Sequence, residues 1–188
     1  MLKIVIIGDT HARHQELSVP DGDVLCHVGD FTDFGEGSGS FFDWLSGLPH
    51  PEKLVILGNH EVFTGSESID FNRSLQAGVK LLLNESIQIE HIVFTGIVAV
   101  TPFYLSEKWP RNHSTNVLLS HMPYDGRIAH TRLLPYMYEL SPDLRFVFCG
   151  HDHTKHGMSE PISGVKVIHA ASQDHPDLPL RKSILIEI

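Results

Sequence analysis

Short apolar segments that each end at a glycine followed by a polar side chain are the strongest constraint on how this chain folds. Three of them, Lys3–Gly8, Asp23–Gly29 and Lys53–Gly58, are rich in β-branched residues and are followed directly by an aspartate or an asparagine. Short apolar runs of this kind between turn residues predict β-strands. Helix-like patterns separate these early segments, which favours parallel strands covered by helices.

The later part of the chain is denser in short strand-like runs, which indicates a second sheet. We predict helices at Ser40–Leu48, Ser66–Ala77 and Arg127–Glu139. The expected fold class is therefore α/β, a two-sheet mixed β-sandwich flanked by helices. All of residues 1–188 are expected to form one domain, because domains typically contain roughly 100–200 residues.

Charge and composition exclude several classes of protein. The net charge of −9 argues against bulk nucleic-acid binding, which needs a basic surface. No apolar run approaches the roughly 18 residues that a membrane-spanning helix needs, so we expect no membrane association. Cys26 and Cys149 lie inside apolar runs, which fits reduced thiols and a cytoplasmic location better than a secreted disulfide scaffold.

Potential metal ligands follow five of the predicted strands. In chain order the polar groups are Asp9-x-His11, Gly29-Asp30-x-x-Asp33, Gly58-Asn59-His60-Glu61, His121 and Gly150-His151-x-His153. Each pattern alone is common and often means only a turn, but five in succession at strand ends indicate a shared site. Their donors are oxygen and imidazole nitrogen, which suit Mn²⁺, Fe or Zn²⁺. Seven such donors exceed the need of one ion and fit two ions that share a carboxylate.

This ordered set resembles the calcineurin-like metallophosphoesterase superfamily across residues 9–153. The runs GDFTDFGE and FFDWLSGLPHPEKLVILGNHE, together with the small size, are most similar to small metallophosphoesterase-domain proteins and class III cyclic-nucleotide phosphodiesterases. The fold of that superfamily is a two-sheet α/β sandwich, which agrees with the strand pattern.

The resemblance implies a binuclear site with two divalent metal ions, with Mn²⁺ favoured and Fe or Zn²⁺ as alternatives. One ion would be bound by Asp9, His11, Asp30 and His153. The other would be bound by Asn59, His121, His151 and the shared, bridging Asp30. Two cations about 3.5–4 Å apart would neutralise phosphate oxygens and convert a bridging water into the hydroxide nucleophile.

Further residues receive roles with less support. The resemblance implies that His60 is no ligand but acts as an acid on the leaving-group oxygen or contacts a phosphate oxygen. The alternative is that His60 only hydrogen-bonds Asp30 or Glu61. The carboxylates expected to support the ligands or to contact substrate are Asp33, Glu61 and Asp152. The side chains that could stack a base are Phe103, Tyr104 and Trp109, although ordinary loop packing explains them equally well.

The favoured function is a phosphodiesterase for cyclic nucleotides or similar small phosphodiesters. Phe34 and Leu57 stand where the Ser/Thr protein phosphatases of the superfamily carry arginine, so the two charges of a phosphomonoester would be less well clamped. One alternative is a phosphomonoesterase of a small metabolite or phosphoprotein. Another is a non-catalytic scaffold, as in the phosphoesterase-like subunit of retromer. The retained ligand positions disfavour a scaffold, and the sequence carries no information on oligomeric state.

Overall fold

The computed structural model of the chain describes residues 1–65, 69–98, 114–122, 141–159 and 164–188. The strands in chain order are β1 (Lys3–Ile7), β2 (Val24–His27), β3 (Glu52–Val55), β4 (Val79–Leu81), β5 (Glu85–Ile89), β6 (Ile92–Ile97), β7 (Val117–Ser120), β8 (Phe146–Cys149), β9 (His156–Met158), β10 (Lys166–Ala170) and β11 (Ile184–Glu187). The α-helices in the described part are α1 (Ser38–Ser46), α2 (Asn59–Thr64) and α3 (Phe71–Gln76). One turn of 3-10 helix spans His14–Glu16.

The described strands form two mixed sheets. The first has the order β11-β1-β2-β3-β4, and the second has the order β5-β6-β7-β8-β10-β9. Strands β1 to β4 run parallel to one another, with β11 antiparallel at one edge. In the second sheet β6, β7, β8 and β10 are parallel, and β5 and β9 are antiparallel at the edges. The parallel strands in each sheet therefore bring several carboxyl ends to one edge.

The hydrophobic core lies between the two sheets. Ile4 and Ile6 of β1 pack with Phe94 and Phe148 of the second sheet in one buried cluster. The alternate residues of β1 face the other way and pack in a second cluster beneath helix α1. Because side chains alternate across a strand, burial on both faces explains why these segments read as unbroken apolar runs.

Helix α1 covers the outer face of the first sheet. Its Phe41, Phe42 and Leu45 are fully buried, and each buried side chain of this size contributes roughly 1.5–3 kcal/mol. The predicted α/β two-sheet fold is thus confirmed, although the second predicted helix is shorter, at Phe71–Gln76. The predicted helix at Arg127–Glu139 lies outside the described residues.

Two further sequence features are visible in the structure. Cys26 and Cys149 are both free and fully buried. Across the described part of the chain, no helix is long and apolar enough to cross a bilayer.

Candidate metal centre

The seven predicted ligand side chains follow five parallel strands that end at one side of the sandwich. Asp9 and His11 follow β1, Asp30 follows β2, Asn59 begins the helix after β3, His121 follows β7, and His151 and His153 follow β8. Backbone hydrogen bonds join neighbouring loops within each sheet at this edge. The Gly150 N–H donates to the His121 carbonyl at 3.0 Å, and the Asp9 N–H donates to the Gly29 carbonyl at 2.9 Å.

One group of donors contains Asp9, His11 and His153, with ligand atoms within 4.8 Å of one another. The Nε2 atoms of the two histidines lie 3.2 Å apart. His153 Nε2 also lies 3.4 Å from Asp9 Oδ1. Two imidazole nitrogens and a carboxylate oxygen thus face a common point.

A second group contains Asp30, His121 and His151, again within 4.8 Å of one another. His121 Nε2 and His151 Nδ1 each lie 2.9 Å from Asn59 Oδ1. Asp30 Oδ2 lies 3.3 Å from His121 Nε2. The amide oxygen of Asn59 therefore lies against both imidazoles of this group.

The chemistry of these donors fits divalent cations. His121 Nδ1–H donates to the Val28 carbonyl at 2.9 Å, which leaves Nε2 as the atom that faces Asp30 and Asn59. A backbone acceptor on the far nitrogen is the usual way in which a metal-binding histidine is oriented. In the other group the Nε2 atoms of His11 and His153 are within hydrogen-bond distance, and a bound cation would take the place of the shared proton. The structure thus brings together two adjacent donor sets, each able to hold an ion.

Burial and charge oppose one another at this centre. Burial lowers the pKa of His121, but its hydrogen bond and charge interaction with Asp30 outweigh burial and raise that pKa to about 9. Burial raises the pKa of Asp30, but His121 and His60 more than compensate and hold it below the usual carboxyl range. In His11 and His151 burial lowers the pKa despite the nearby aspartates. A bound cation would replace the proton on His121, since metal binding requires a neutral imidazole.

Unusual backbone conformations cluster at the same residues. Four of the seven predicted ligands have positive φ angles: Asp9 at 50°, His11 at 42°, Asp30 at 53° and His151 at 66°. A non-glycine residue in this region costs free energy and persists where the surroundings determine its conformation. The surrounding hydrogen bonds therefore hold these loops in strained conformations that bring the donors together.

Two of the glycines after strands leave room for the carboxylates rather than only making turns. A Cβ at Gly58 would meet Asp30 Oδ1 and the Asp30 backbone nitrogen. A Cβ at Gly150 would meet Asp9 Oδ2 and would stand 3.2 Å from Asp9 Cγ. A larger residue at either position would displace an aspartate from the centre.

We expect the substitution Gly150→Ala to weaken metal binding, because the added methyl group displaces the Asp9 carboxylate. The expected loss of Mn²⁺ affinity is about 10–100-fold, comparable to losing a group that orients a ligand. Titration calorimetry measures it, with Gly47→Ala as the control, where a Cβ meets only the Trp44 carbonyl oxygen at 3.5 Å. Equal Mn²⁺ affinity in both variants would show that Asp9 does not hold the ion.

Glu61 is fully buried and supports the loops that carry the ligands. Its Oε2 accepts from the N–H groups of Asp30 at 2.9 Å and Gly58 at 2.8 Å. Its Oε1 accepts from the Thr32 N–H at 2.8 Å and the Thr32 hydroxyl at 2.7 Å. Since both oxygens are used in this way, the geometry favours support of the backbone over contact with a substrate.

We expect Glu61→Gln to destabilise the protein, because the amide nitrogen would face N–H donors where a carboxylate oxygen now accepts. Leaving buried donors unpaired costs roughly 1–3 kcal/mol, and more for a charged partner. The expected loss in the free energy of unfolding is therefore about 3 kcal/mol, measured by urea denaturation. The exposed Glu90→Gln is the control, and equal stability of the two variants would contradict the role of Glu61.

His60 lies beside the two donor groups with a side chain that is 14% exposed. The backbone N–H of His60 donates to Asp30 Oδ1 at 2.9 Å, and the imidazole Nε2 lies 3.9 Å from Asp30 Oδ2. Its ring meets His11 edge to face, with centroids 4.5 Å apart. Asp33 is 62% exposed, and its Oδ1 lies 3.7 Å from His60 Nδ1. His60 can therefore reach a molecule bound at the centre.

Four predicted site residues remain, one aspartate between His151 and His153 in the chain and three aromatic residues. Asp152 Oδ1 accepts from the Thr154 hydroxyl at 2.6 Å, and its Oδ2 lies 3.3 Å from Lys155 Nζ, so its contacts are within its own loop. Phe103, Tyr104 and Trp109 lie outside the described residues.

Two arginines that the sequence did not single out tie the C-terminal segment to this edge. Arg181 Nη1 donates to the His153 carbonyl at 2.7 Å, and Arg13 Nη1 donates to the Pro176 carbonyl at 2.8 Å. The Ser172 N–H donates to the Gly8 carbonyl at 2.9 Å. No local motif marks these contacts, because they join residues that are distant in the chain.

Comparison with known proteins identifies the family. The family model described as calcineurin-like phosphoesterase matches residues 2–155. The chain belongs to the calcineurin-like phosphoesterase family. The resemblance seen in the sequence is thus confirmed at the level of the family.

Relatives within the calcineurin-like phosphoesterase family include a nematode and a human protein. A UPF0046 protein of Caenorhabditis elegans is 32% identical over 191 residues, covering 84% of this chain and 65% of that protein. Metallophosphoesterase domain-containing protein 1 of Homo sapiens is 47% identical over 62 residues, covering 32% of this chain and 19% of that protein. The chain thus spans less than two thirds of the length of either relative.

Solved structures share the fold of this member of the calcineurin-like phosphoesterase family. One has a TM-score of 0.66 at 12% identity and covers 90% of each chain. GAP50, described as the anchor in the inner membrane complex of Plasmodium, has a TM-score of 0.51 at 12% identity, covering 98% of this chain and 77% of that one. At this identity the likeness shows the fold alone.

Proposed function

We propose that this protein is a binuclear metal-dependent phosphodiesterase that acts on cyclic nucleotides or similar small phosphodiesters. The observation that carries the proposal is the pair of donor groups at one edge of the sandwich, with Asp30 between them and His60 beside them. We propose Asp9, His11, Asp30 and His153 as ligands of one ion. We propose Asn59, His121, His151 and the shared Asp30 as ligands of the other.

Two bound cations would neutralise phosphate oxygens and lower the pKa of a water molecule that attacks phosphorus. Mn²⁺ is the proposed ion, because carboxylate and amide oxygens accompany the imidazoles. The protein's own residues orient these groups. Val28 holds His121 through its carbonyl, and Asp9 accepts the His151 N–H at 2.9 Å. His60 presents Nε2 toward the centre, where it would donate to the leaving-group oxygen.

The proposed preference for diesters rests on where the arginines of the described residues lie. A phosphomonoester carries two charges, and arginine forks are the usual way to bind them. The four arginines within the described ranges all have partners other than the side chains of the donor groups. Arg13 pairs with Glu16, Arg73 with Asp43, Arg145 lies over Phe146, and Arg181 pairs with Asp174. A diester, with a single negative charge, needs no such clamp.

Hydrolysis of a matched pair of substrates tests the proposal. A generic aryl phosphodiester and its monoester are compared with Mn²⁺, Fe²⁺, Zn²⁺, Ni²⁺ and Mg²⁺, with Asn59→Ala as the variant that loses a ligand. We expect faster hydrolysis of the diester, highest activity with Mn²⁺, and loss of this activity in the variant. Cyclic 2′,3′- and 3′,5′-nucleotides then follow as substrates.

Two other outcomes would replace the proposal. A preference for the monoester would make the protein a phosphomonoesterase of a small metabolite or phosphoprotein. Protein that binds no divalent ion and hydrolyses neither ester would be a non-catalytic module on the same fold.

A further inference from the structure

The turn after Asp30 carries an aromatic side chain where small residues are usual. Asp33 and Glu36 exchange two backbone hydrogen bonds, each 3.1 Å long. The two residues between them, Phe34 and Gly35, both have positive φ angles, of 45° and 90°. Tight turns of this kind strongly prefer glycine, asparagine or aspartate at both central positions. Phe34 is also 60% exposed, so neither the turn nor the core accounts for a phenyl ring here.

Phe34 makes two separate contacts with His60. Its ring stacks on the imidazole with centroids 3.8 Å apart and an interplanar angle of 25°. Its backbone N–H donates to His60 Nδ1 at 3.3 Å. The first contact fixes the plane of the imidazole, and the second makes Nδ1 a hydrogen-bond acceptor. A neutral imidazole that accepts at Nδ1 carries its proton on Nε2.

The other neighbours of His60 within the described residues do not fix the plane of its imidazole or donate to its Nδ1 atom as Phe34 does. Asp33 Oδ1 lies 3.7 Å from His60 Nδ1, which is beyond hydrogen-bond distance, and the side chain is largely exposed. The His11 ring is tilted by 67° to the His60 imidazole and does not stack on it. On the other side of the imidazole, Nε2 points toward Asp30 at 3.9 Å. The proton-bearing nitrogen therefore faces the metal centre because Phe34 occupies the opposite side.

We propose that Phe34 is a positioning residue for His60, whose ring and backbone N–H hold the imidazole in one plane and one tautomer with Nε2–H facing the metal centre. This inference rests on the proposed function, since the benefit of a fixed Nε2–H is a correctly placed donor to the leaving group. Small misplacements of such a group cost up to about a hundredfold in rate.

Substitutions at position 34 can separate this role from the stability of the fold. Phe34→Gly and Phe34→Asn remove the ring and keep the N–H, and both residues accept a positive φ angle more readily than phenylalanine. Neither variant should lose stability. Phe34→Tyr keeps the stacking surface. Phe63→Ala is the matched control, because it removes a phenyl ring that is 68% exposed from the helix that begins beside His60.

We expect Phe34→Gly and Phe34→Asn to lower kcat for the aryl diester by roughly ten- to a hundredfold, with KM changed less than kcat. Phe34→Tyr and Phe63→Ala should retain the wild-type kcat. Nitrogen-15 NMR of the imidazoles in the full chain titrated with Zn²⁺ gives the second readout, with His60 assigned from its absence in His60→Gln. Wild type and Phe34→Tyr should show a single Nε2–H tautomer, and the Gly and Asn variants should show mixed tautomers.

An unchanged kcat in the Gly and Asn variants would overturn the inference. So would a lower kcat with unchanged His60 resonances, since Phe34 would then act directly on the substrate. If the wild-type protein hydrolyses no ester, the proposed function fails, and the NMR result alone decides whether Phe34 positions His60. Mixed tautomers in the Gly and Asn variants would still support the positioning role, and unchanged resonances would overturn it.

Discussion

Replacing Asp30 with asparagine is expected to lower the proposed phosphodiesterase activity by at least about 10³-fold, more than the 10–100-fold typical of a residue that only orients a ligand. Asp30 is 2% exposed, and its Oδ2 lies 3.3 Å from His121 Nε2 while its Oδ1 accepts the His60 N–H. The substitution keeps the shape of the side chain but removes the charge between the two donor groups. Both proposed ions lose a shared anionic ligand in one step.

The measurement is kcat/KM for the aryl diester together with the number of Mn²⁺ ions bound per chain. Asp177→Asn makes the same chemical change in a side chain that is 90% exposed and should alter neither quantity. An Asp30→Asn protein that still binds two ions and hydrolyses the diester within tenfold of wild type would show that Asp30 does not bridge them.

His60→Ala is the second substitution with a large expected effect. We expect the variant to keep its metal ions and to lose about 10²–10⁴-fold in kcat, the usual contribution of an acid–base group. The physical reason is that His60 Nε2 faces the centre but is absent from the two donor groups assigned to the ions. His91→Ala, at a side chain that is 70% exposed, is the matched control.

Metal content separates the two ways in which this prediction can fail. His60, His11 and Asp30 also form a group whose ligand atoms lie within 4.8 Å of one another, so His60 could bind an ion itself. Loss of one ion in His60→Ala would make His60 a ligand. Retention of both ions with an unchanged kcat would mean that His60 has no part in the reaction.

The sequence predicts those parts of the fold that depend on local patterns. The early strands can be recognised because burial on both faces gives unbroken apolar runs. Strands β1 and β2 lie within the predicted segments, and β3 begins one residue before the predicted Lys53, at Glu52. The position of the donors follows from the same reasoning, since carboxyl ends of parallel strands meet at one edge. Residues 9 and 153 could therefore be placed together although 144 positions separate them.

Contacts between distant loops could not be predicted in this way. The carboxylate of Glu61 joins two turns that lie about 30 residues apart in the chain, and a Gly-Asn-His-Glu motif does not reveal that pairing. Stacking of Phe34 on His60 depends on the φ angles of a tight turn. Helix α3 begins at Phe71 because Asp70 caps it, its carboxylate accepting the Arg73 N–H at 3.0 Å, whereas the prediction started the helix at Ser66.

Anomalous scattering from crystals grown with Mn²⁺ tests the central claim most directly. We expect two peaks about 3.5–4 Å apart, both in contact with the Asp30 carboxylate. One should also contact His11 and His153, and the other His121 and His151. A single peak, or none at this edge of the sandwich, would contradict a binuclear centre and with it the proposed chemistry.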